Sequence, residues 1–320
     1  MIEGETLLLT GGAGFIGSTI AARFVERNRV RVFDTLSRNS LAKSPIANHP
    51  NLELIKGDVL DPEGVTAAMA GVDRVVHLAS VAGVSTVLNQ PVRTLRVAYE
   101  GTLHVLEAAR RVDTIKRVVT FSTSEVFGRY AYNVREKDET PIGPVGESRW
   151  TYAGSKIAAE HLAHAYFRQY GVPVVSLRPF NVYGPGQQGE GAIHNFIARS
   201  LKGEPITVNN DGRQLRSWCF VSDMVDAVEL SIERGEAIGE VFNVGNPLAT
   251  VNVVRLAELV RRLSGSSSDI RFRRRDYTDV ETRVPNIDKA RELIGYEPKV
   301  SLEDGIEQTI AWYREHAGDE

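Results

Sequence analysis

One stretch constrains this chain more than any other: Thr10-Gly11-Gly12-Ala13-Gly14-Phe15-Ile16-Gly17. The run before it, Thr6–Thr10, is short, mostly apolar and strand-like. After it, Phe15, Ile16, Ile20, Phe24 and Val25 recur at helical spacing as far as Arg27. Glycines at 11, 14 and 17 permit a tight turn, let the backbone approach a pyrophosphate, and allow a helix to pack closely on a strand. The positive end of that helix is a natural seat for phosphates. Asp34 closes the next strand, Val30–Asp34. A carboxylate there accepts hydrogen bonds from ribose hydroxyls and repels a 2′-phosphate, which favours NAD over NADP.

The pattern then repeats. Leu52–Asp58, Arg74–Ser80, Arg117–Ser122 and Pro173–Pro179 read as further strands, with helices over Leu95 to Arg111 and Ser155 to Tyr170. Alternation of this kind predicts an α/β fold, a doubly wound parallel sheet of Rossmann type covered by helices on both faces. After Pro179 the texture changes. Residues 181–190 are rich in Gly, Pro and Gln and read as a loop. Helices are expected over Ile193–Lys202, Asp223–Arg234, Val254–Leu263 and Leu302–His316, and strands over Pro205–Val208 and Glu240–Gly245. The stretch from Ser264 to Arg283 reads as basic and irregular. The expectation is therefore an NAD-binding domain over 1–180 and a smaller mixed α/β substrate domain over 181–320, with the strand near 240–245 returning to the first.

Composition narrows the possibilities. The formal net charge of the 320 residues is −3, which offers nucleic acid no broad attraction. No apolar run approaches the roughly 18 residues of a membrane span, and the acidic start Met1-Ile2-Glu3-Gly4-Glu5 is unlike a signal peptide. The single cysteine, Cys219, excludes an internal disulfide and reads as an inert buried thiol. The seven histidines show no metal-ligand spacing, so no metal is expected. The chain reads as a cytoplasmic protein.

Three clusters carry chemistry. Tyr152 and Lys156 stand at i and i+4, on one helix face. An ammonium beside a phenol favours the phenolate, lowering its pKa from about 10 and making Tyr152 a base for a hydroxyl proton. Ser122-Thr123-Ser124-Glu125-Val126-Phe127-Gly128 follows a core strand, at the sheet end where ligands bind. Thr123, Ser124 and Glu125 there are candidates for substrate hydrogen bonding and proton transfer. In Gly57-Asp58-Val59-Leu60-Asp61, Asp58 is placed to meet adenine, and Asp61 to cap the helix that starts near Pro62.

These clusters, with His77-Leu78-Ala79-Ser80 and Arg178-Pro179-Phe180-Asn181-Val182-Tyr183-Gly184-Pro185, resemble the extended short-chain dehydrogenase/reductases that act on nucleotide sugars. The resemblance covers nearly the whole chain. It implies a Rossmann domain holding NAD, a C-terminal domain holding a UDP-sugar, and transient oxidation at C4 of the hexose. It makes Tyr152 the base, Lys156 its tuning residue and ligand of the nicotinamide ribose, and Thr123 the partner of the C4 oxygen. The cofactor contacts it implies are Gly11, Gly14, Phe15, Ile16, Gly17, Asp34, Asp58, Val59, Ala79, Tyr152 and Lys156. Asn181, Arg216 and Arg283 become contacts of the substrate's diphosphate or carboxylate, with Arg216 also in the catalytic set. One position departs from the family: Ala98 stands where an Asn is usual.

The 4-keto stage leads to an epimerase, a 4,6-dehydratase or a decarboxylase. Thr123-Ser124-Glu125, Arg149-Trp150 before Tyr152, Asn195-Phe196-Ile197 and the run 201–208 are similar to the UDP-glucuronate decarboxylases. The resemblance therefore implies an NAD-dependent carboxy-lyase giving UDP-xylose or its 4-keto form, with 4-epimerase or 4,6-dehydratase as the alternative. Relatives of this kind commonly pair through the helices near 95–111 and 155–170, so a homodimer is expected.

Overall fold

Strands that are apolar on both faces need helices on both faces, and a parallel arrangement supplies them through its crossovers. The protein is described here by a computed structural model covering residues 2–275 and 279–316. The first half runs β1 (Thr6–Thr10), α1 (Phe15–Phe24), β2 (Arg29–Asp34), β3 (Leu52–Lys56), α2 (Pro62–Ala68), β4 (Arg74–His77), α3 (Val84–Asn89), α4 (Pro91–Arg110) and β5 (Arg117–Phe121). It continues through β6 (Tyr130–Val134), α5 (Thr151–Tyr170), β7 (Val174–Pro179) and β8 (Val182–Tyr183). Then come α6 (Ala192–Lys202), β9 (Ile206–Asn209), β10 (Leu215–Ser217), β11 (Cys219–Phe220), α7 (Val221–Glu233) and β12 (Val241–Val244). The chain ends with β13 (Thr250–Asn252), α8 (Val253–Leu263), β14 (Ile270–Arg273), β15 (Thr282–Pro285), α9 (Asp288–Ile294) and α10 (Leu302–Glu315).

Seven strands form one parallel sheet in the order β12-β7-β5-β4-β1-β2-β3. The order reverses between β1 and β4, which opens a crevice beyond their C-terminal ends. One core lies where Ile20, Phe24 and Val228 pack on one face, and another where Val65, Val105 and Leu106 pack on the other. Asp61 caps α2 by accepting from the Glu63 amide. Among the described residues, no helix is long and apolar enough to cross a membrane.

A second sheet has the order β13-β10-β15-β6. Its parallel pair β10 and β15 sets Arg216 opposite Arg283. Register partners share a face and lie about 5 Å apart, so the two guanidinium groups start side by side. A third apolar cluster, with Tyr183, Phe196 and Leu256, supports this sheet from below.

Several strands were not read from the sequence: the short β8, β10, β13 and β15, and also β6 and β14. β14 lies inside the stretch read as irregular, and pairs in parallel with β9. Ile270 and Phe272 alternate with Arg271 and Arg273, but the run is only four residues long, stands among further arginines, and leaves Phe272 and both arginines in water. Residues 276–278 of that stretch lie outside the described residues, as do Met1 and 317–320. β6 hides for the same reason: Tyr130 and Tyr132 are exposed, and Ala131 alone of the three is buried.

Helix α5 is fastened to the sheet by buried charge. Arg178 of β7 donates from Nε and Nη2 to Glu160 of α5 at 3.0 and 2.6 Å, and from Nη1 to the Glu136 carbonyl at 3.2 Å. Both side chains are buried, so removing one strands the other's charge out of water. Arg178→Met is expected to cost about 3 kcal/mol or more of folding stability. Urea unfolding followed by far-UV circular dichroism measures it, and a change below about 1 kcal/mol contradicts the assignment.

Candidate active site

The crevice at the reversal of strand order is a cleft of about 590 Å3. Gly11, Gly14, Phe15, Ile16, Gly17, Asp34, Asp58, Val59, Ala79, Thr123, Tyr152 and Lys156 all line it. The glycine turn has little room for side chains. A Cβ on Gly11 would fall 2.6 Å from the Ala79 amide nitrogen, and one on Gly17 would fall 2.5 Å from the Gly12 Cα. Helix α1 can therefore press its N-terminus against the strand ends. Gly14 caps that helix with no side-chain bond, which leaves the first-turn amides to an anion. Asp34 accepts from the amides of Ala13 and Leu36 at 3.1 and 2.7 Å, and burial holds its carboxyl above the ordinary range despite both bonds. Asp58 accepts from the Leu60 amide and from Arg93 Nη2 at 2.9 Å. The buried hydroxyl of Ser122, also on the cleft wall, has no partner among the described residues. The open helix end, a carboxylate on the next strand and an orphaned hydroxyl fit a dinucleotide.

At the inner end, α5 presents Tyr152 and Lys156. Lys156 Nζ is buried and donates to the Phe121 carbonyl at 2.7 Å. It stands 6.0 Å from the centre of the Tyr152 ring. Burial pushes this ammonium down to about 8. The phenol behaves otherwise than the lysine spacing predicts. Its pKa is pushed up to about 12, first by burial and then by the charge of Glu125, while the Ser80 and Thr123 hydroxyls pull it partly back. In the protein alone, desolvation outweighs the lysine, whose ammonium is committed to the β5 carbonyl.

His77 lies beneath this site. It bridges Thr10 Oγ1 at 2.6 Å and Thr102 Oγ1 at 3.1 Å, and burial followed by the Lys156 charge lowers it to about 3. It therefore stays neutral at physiological pH. Thr102 also donates to the carbonyl of Ala98, the position that departs from the family, at 2.6 Å. Ala98 itself is fully buried.

Beyond Tyr152 the charge becomes concentrated. Thr123 caps the short turn 124–127, its Oγ1 accepting from the Glu125 amide at 3.2 Å. Arg149 grips Glu125 with both ends of its fork, Nη1 to Oε2 at 2.5 Å and Nη2 to Oε1 at 3.0 Å. Arg283, buried, donates to Ser124 Oγ at 3.2 Å and to the Gly128 carbonyl at 3.0 Å. Arg216 reaches the carbonyls of Val280 and Glu281 at 2.5 and 3.3 Å and lies 3.7 Å from Asp279. Burial raises the Glu125 carboxyl, yet Arg149, Arg283 and Arg216 together outweigh it and hold the group below the ordinary range. Burial pushes Arg283 down to about 10, so it remains a cation at neutral pH. Asn181 sits apart from this cluster. At φ 40° it donates from Nδ2 to the Ser217 carbonyl at 2.7 Å and joins β8 to the strand carrying Arg216.

Motif reading gave no role to three residues at this site, although Arg149 and Ser80 stand in stretches that carry the resemblance. Arg149 is written three positions before Tyr152, and only the folded turn reveals its grip on Glu125. Ser80 faces the phenol from the end of β4. Glu190, in the Gly- and Gln-rich loop, accepts from the amides of Ser85 and Thr86 at 2.9 and 3.2 Å, closing that loop against the start of α3.

Comparison with known proteins places this geometry. UDP-glucuronic acid decarboxylase 3 of Arabidopsis thaliana is 38% identical over 308 residues, 94% of this chain and 86% of that protein. UDP-N-acetyl-alpha-D-glucosaminuronate decarboxylase of Bacillus cytotoxicus is 32% identical over 322 residues, 98% of each. The structure of UDP-glucuronic acid 4-epimerase from Bacillus cereus, solved with UDP-glucuronic acid and NAD, superposes with a TM-score of 0.87 at 27% identity, covering 97% of this chain and 99% of that one. The NAD dependent epimerase/dehydratase family model matches residues 7–245, and the chain belongs to that family.

Proposed function

We propose that this protein is an NAD-dependent UDP-glucuronate decarboxylase. One observation carries the reading: Arg149 pairs directly with the carboxylate of Glu125, the buried Arg283 and the half-buried Arg216 act on the same group through their charge, and that group in turn acts on the candidate base Tyr152. Arg149 balances Glu125. Arg216 and Arg283 leave positive charge for a substrate that brings its own anions. A sugar nucleotide whose hexose carries a carboxylate suits that surplus, as does the relatives' activity on such sugars.

NAD, when bound, accepts a hydride from C4 of the sugar and returns it later. The phenol is neutral in the protein alone. With a cationic nicotinamide ring bound its phenolate is favoured, and Tyr152 Oη in that form takes the proton of the C4 hydroxyl while Thr123 Oγ1 hydrogen-bonds the same oxygen. The C6 carboxylate is then β to a ketone. The C5–C6 bond breaks, its electron pair moves into an enolate, and carbon dioxide leaves. Donors at O4 stabilise the negative charge that gathers there. A proton is delivered to C5, and reduction of the ketone gives UDP-xylose, or the 4-keto pentose departs first. A 4,6-dehydratase needs an acid for the C6 hydroxyl, and Glu125, held ionised by Arg149, is poorly suited to give a proton. Epimerisation of the same substrate is the second reading, favoured by the Bacillus cereus neighbour's bound UDP-glucuronic acid.

The proposed division of labour gives the dinucleotide to residues 1–180 with the strand at 241–244, and the sugar nucleotide to residues 181–320. Cofactor contacts go to the residues of the glycine turn, Asp34, Asp58, Val59, Ala79, Tyr152 and Lys156. Substrate contacts go to Arg216 and Arg283, with Asn181 positioning the former's strand. Helices α4 and α5 pack together, and Leu95, Tyr99 and Tyr170 remain exposed around them. A cytoplasmic homodimer burying that surface is proposed, and light scattering that returns the mass of one chain contradicts it.

Incubation of the purified protein with UDP-glucuronate is expected to release carbon dioxide and a UDP-pentose, resolved by mass spectrometry. An isomer of unchanged mass means epimerisation instead. Tyr152→Phe is expected to lower kcat at least about 100-fold while the protein keeps its NAD, measured by absorbance after denaturation. Loss of NAD in parallel with activity makes the phenol a cofactor ligand rather than the base.

A further inference from the structure

Glu125 is a buried-site carboxylate on which the charges of Arg149, Arg283 and Arg216 all act, and something must keep it from monopolising those cations. The side chain that meets both of its oxygens is Arg149, which is itself buried. Arg149 sits in the single turn 148–150 that runs directly into α5, two residues upstream of the helix position that carries the phenol's neighbour Thr151. That turn is rigidly seated. The Trp150 ring lies 5.5 Å from the Arg149 guanidinium carbon, and its Nε1 donates to Glu147 at 3.0 Å. The indole occupies the space of a missing side chain, since a Cβ on Gly143 would fall 1.9 Å from Trp150 Nε1.

We propose that Arg149 is a positioning residue for Glu125: its fork fixes both carboxylate oxygens beside Thr123 and Tyr152, so that Arg216 and Arg283 are left to meet the anionic groups of the substrate. The proposal deepens the reading given above and rests on it for the identity of the substrate. The groups facing Glu125 are Arg149 before α5, Arg283 on β15, Arg216 on β10 and Tyr152 on α5, with Asp279 beside Arg216. Remove Arg149, and a buried carboxylate must draw on Arg216 and Arg283 or take up a proton. The first outcome competes with the substrate's own anions. The second deletes the charge that faces Tyr152.

The sign of the pH effect follows. Glu125 is ionised down to acid pH because the cations outweigh burial. Activity that needs this carboxylate is lost only as pH falls through its lowered pKa. Without Arg149 that acid limb moves to higher pH. Arg149→Lys keeps the charge but not the two-pronged grip, so it is expected to leave the limb in place and to lower kcat.

The test uses the full, NAD-loaded protein labelled with 13C at glutamate carboxyl carbons, the Glu125 resonance being assigned by its disappearance in Glu125→Gln. In Arg149→Met the Glu125 midpoint is expected to rise by about one pH unit or more, and KM for UDP-glucuronate to rise with it. In Arg149→Lys the midpoint stays and kcat falls about tenfold or more. Arg149→Met combined with Glu125→Gln is expected to be no slower than Glu125→Gln alone. An unmoved midpoint in Arg149→Met, or a double variant slower by the product of the single effects, overturns the proposal. Should Arg149→Met fail to hold NAD, the lysine variant decides: wild-type kcat overturns the proposal, and a lowered kcat at an unchanged midpoint supports it. A wild-type protein that leaves UDP-glucuronate untouched sinks the functional reading, and the titration still judges Arg149.

Discussion

The site hangs on how helix α5 is held to the sheet. Lys156 drives its ammonium under the helix to the Phe121 carbonyl, at 2.7 Å and fully out of water. Arg178 and Glu160 repeat the fastening one turn along. Buried charges are costly unless they are paired or hydrogen-bonded. These groups therefore admit one seating of the helix and penalise its displacement. Tyr152 lies one turn before Lys156, and Arg149 lies in the turn that leads in. Both inherit their positions from that anchorage.

A second consequence is electrostatic. The same burial that fixes the helix lowers the ammonium, raises the phenol and keeps His77 neutral. Lys156, lowered only to about 8, still carries its positive charge at neutral pH beside a neutral phenol and a neutral imidazole. The outer cluster is different, with three guanidinium groups to one central carboxylate, which Asp279 moderates only at Arg216. The Tyr152 end of the cleft suits a hydroxyl being oxidised, and the arginine cluster beyond it, outside the residues that line the cleft, suits an anion. A substrate spanning the two must be polar at one end and acidic at the other, as a uronic acid on a diphosphate is.

Much of this was legible in the residues. Gly11, Gly14 and Gly17 announce the turn, and at Gly11 and Gly17 no side chain fits between it and its neighbours. The inner strands of the large sheet, such as β1, β5 and β7, read directly because both faces are buried, whereas the edge strand β3 is largely exposed. Tyr152, Lys156 and Thr123 are marked by their spacing and their place after strands. What stayed hidden depends on distant pairing. β6 and β14 carry exposed tyrosines and arginines, so nothing in their pattern tells of a partner strand. The convergence of Arg149, Arg216 and Arg283 on Glu125 joins segments far apart in the chain, through a sheet register that spacing cannot supply. The phenol's raised pKa was likewise out of reach, because a one-dimensional reading gives the neighbouring lysine but not the desolvation that overrides it.

The central claim is that the carbon–carbon bond at C5 of a uronic acid breaks in this cleft. Turnover of UDP-glucuronate in heavy water, with the product read by proton NMR and mass spectrometry, tests that claim most directly. Loss of carbon dioxide leaves an enolate that must collect a proton from an exchanging group, so the account predicts a pentose bearing one solvent deuterium at C5. A six-carbon product with its carboxylate in place and no deuterium at C5 would contradict it.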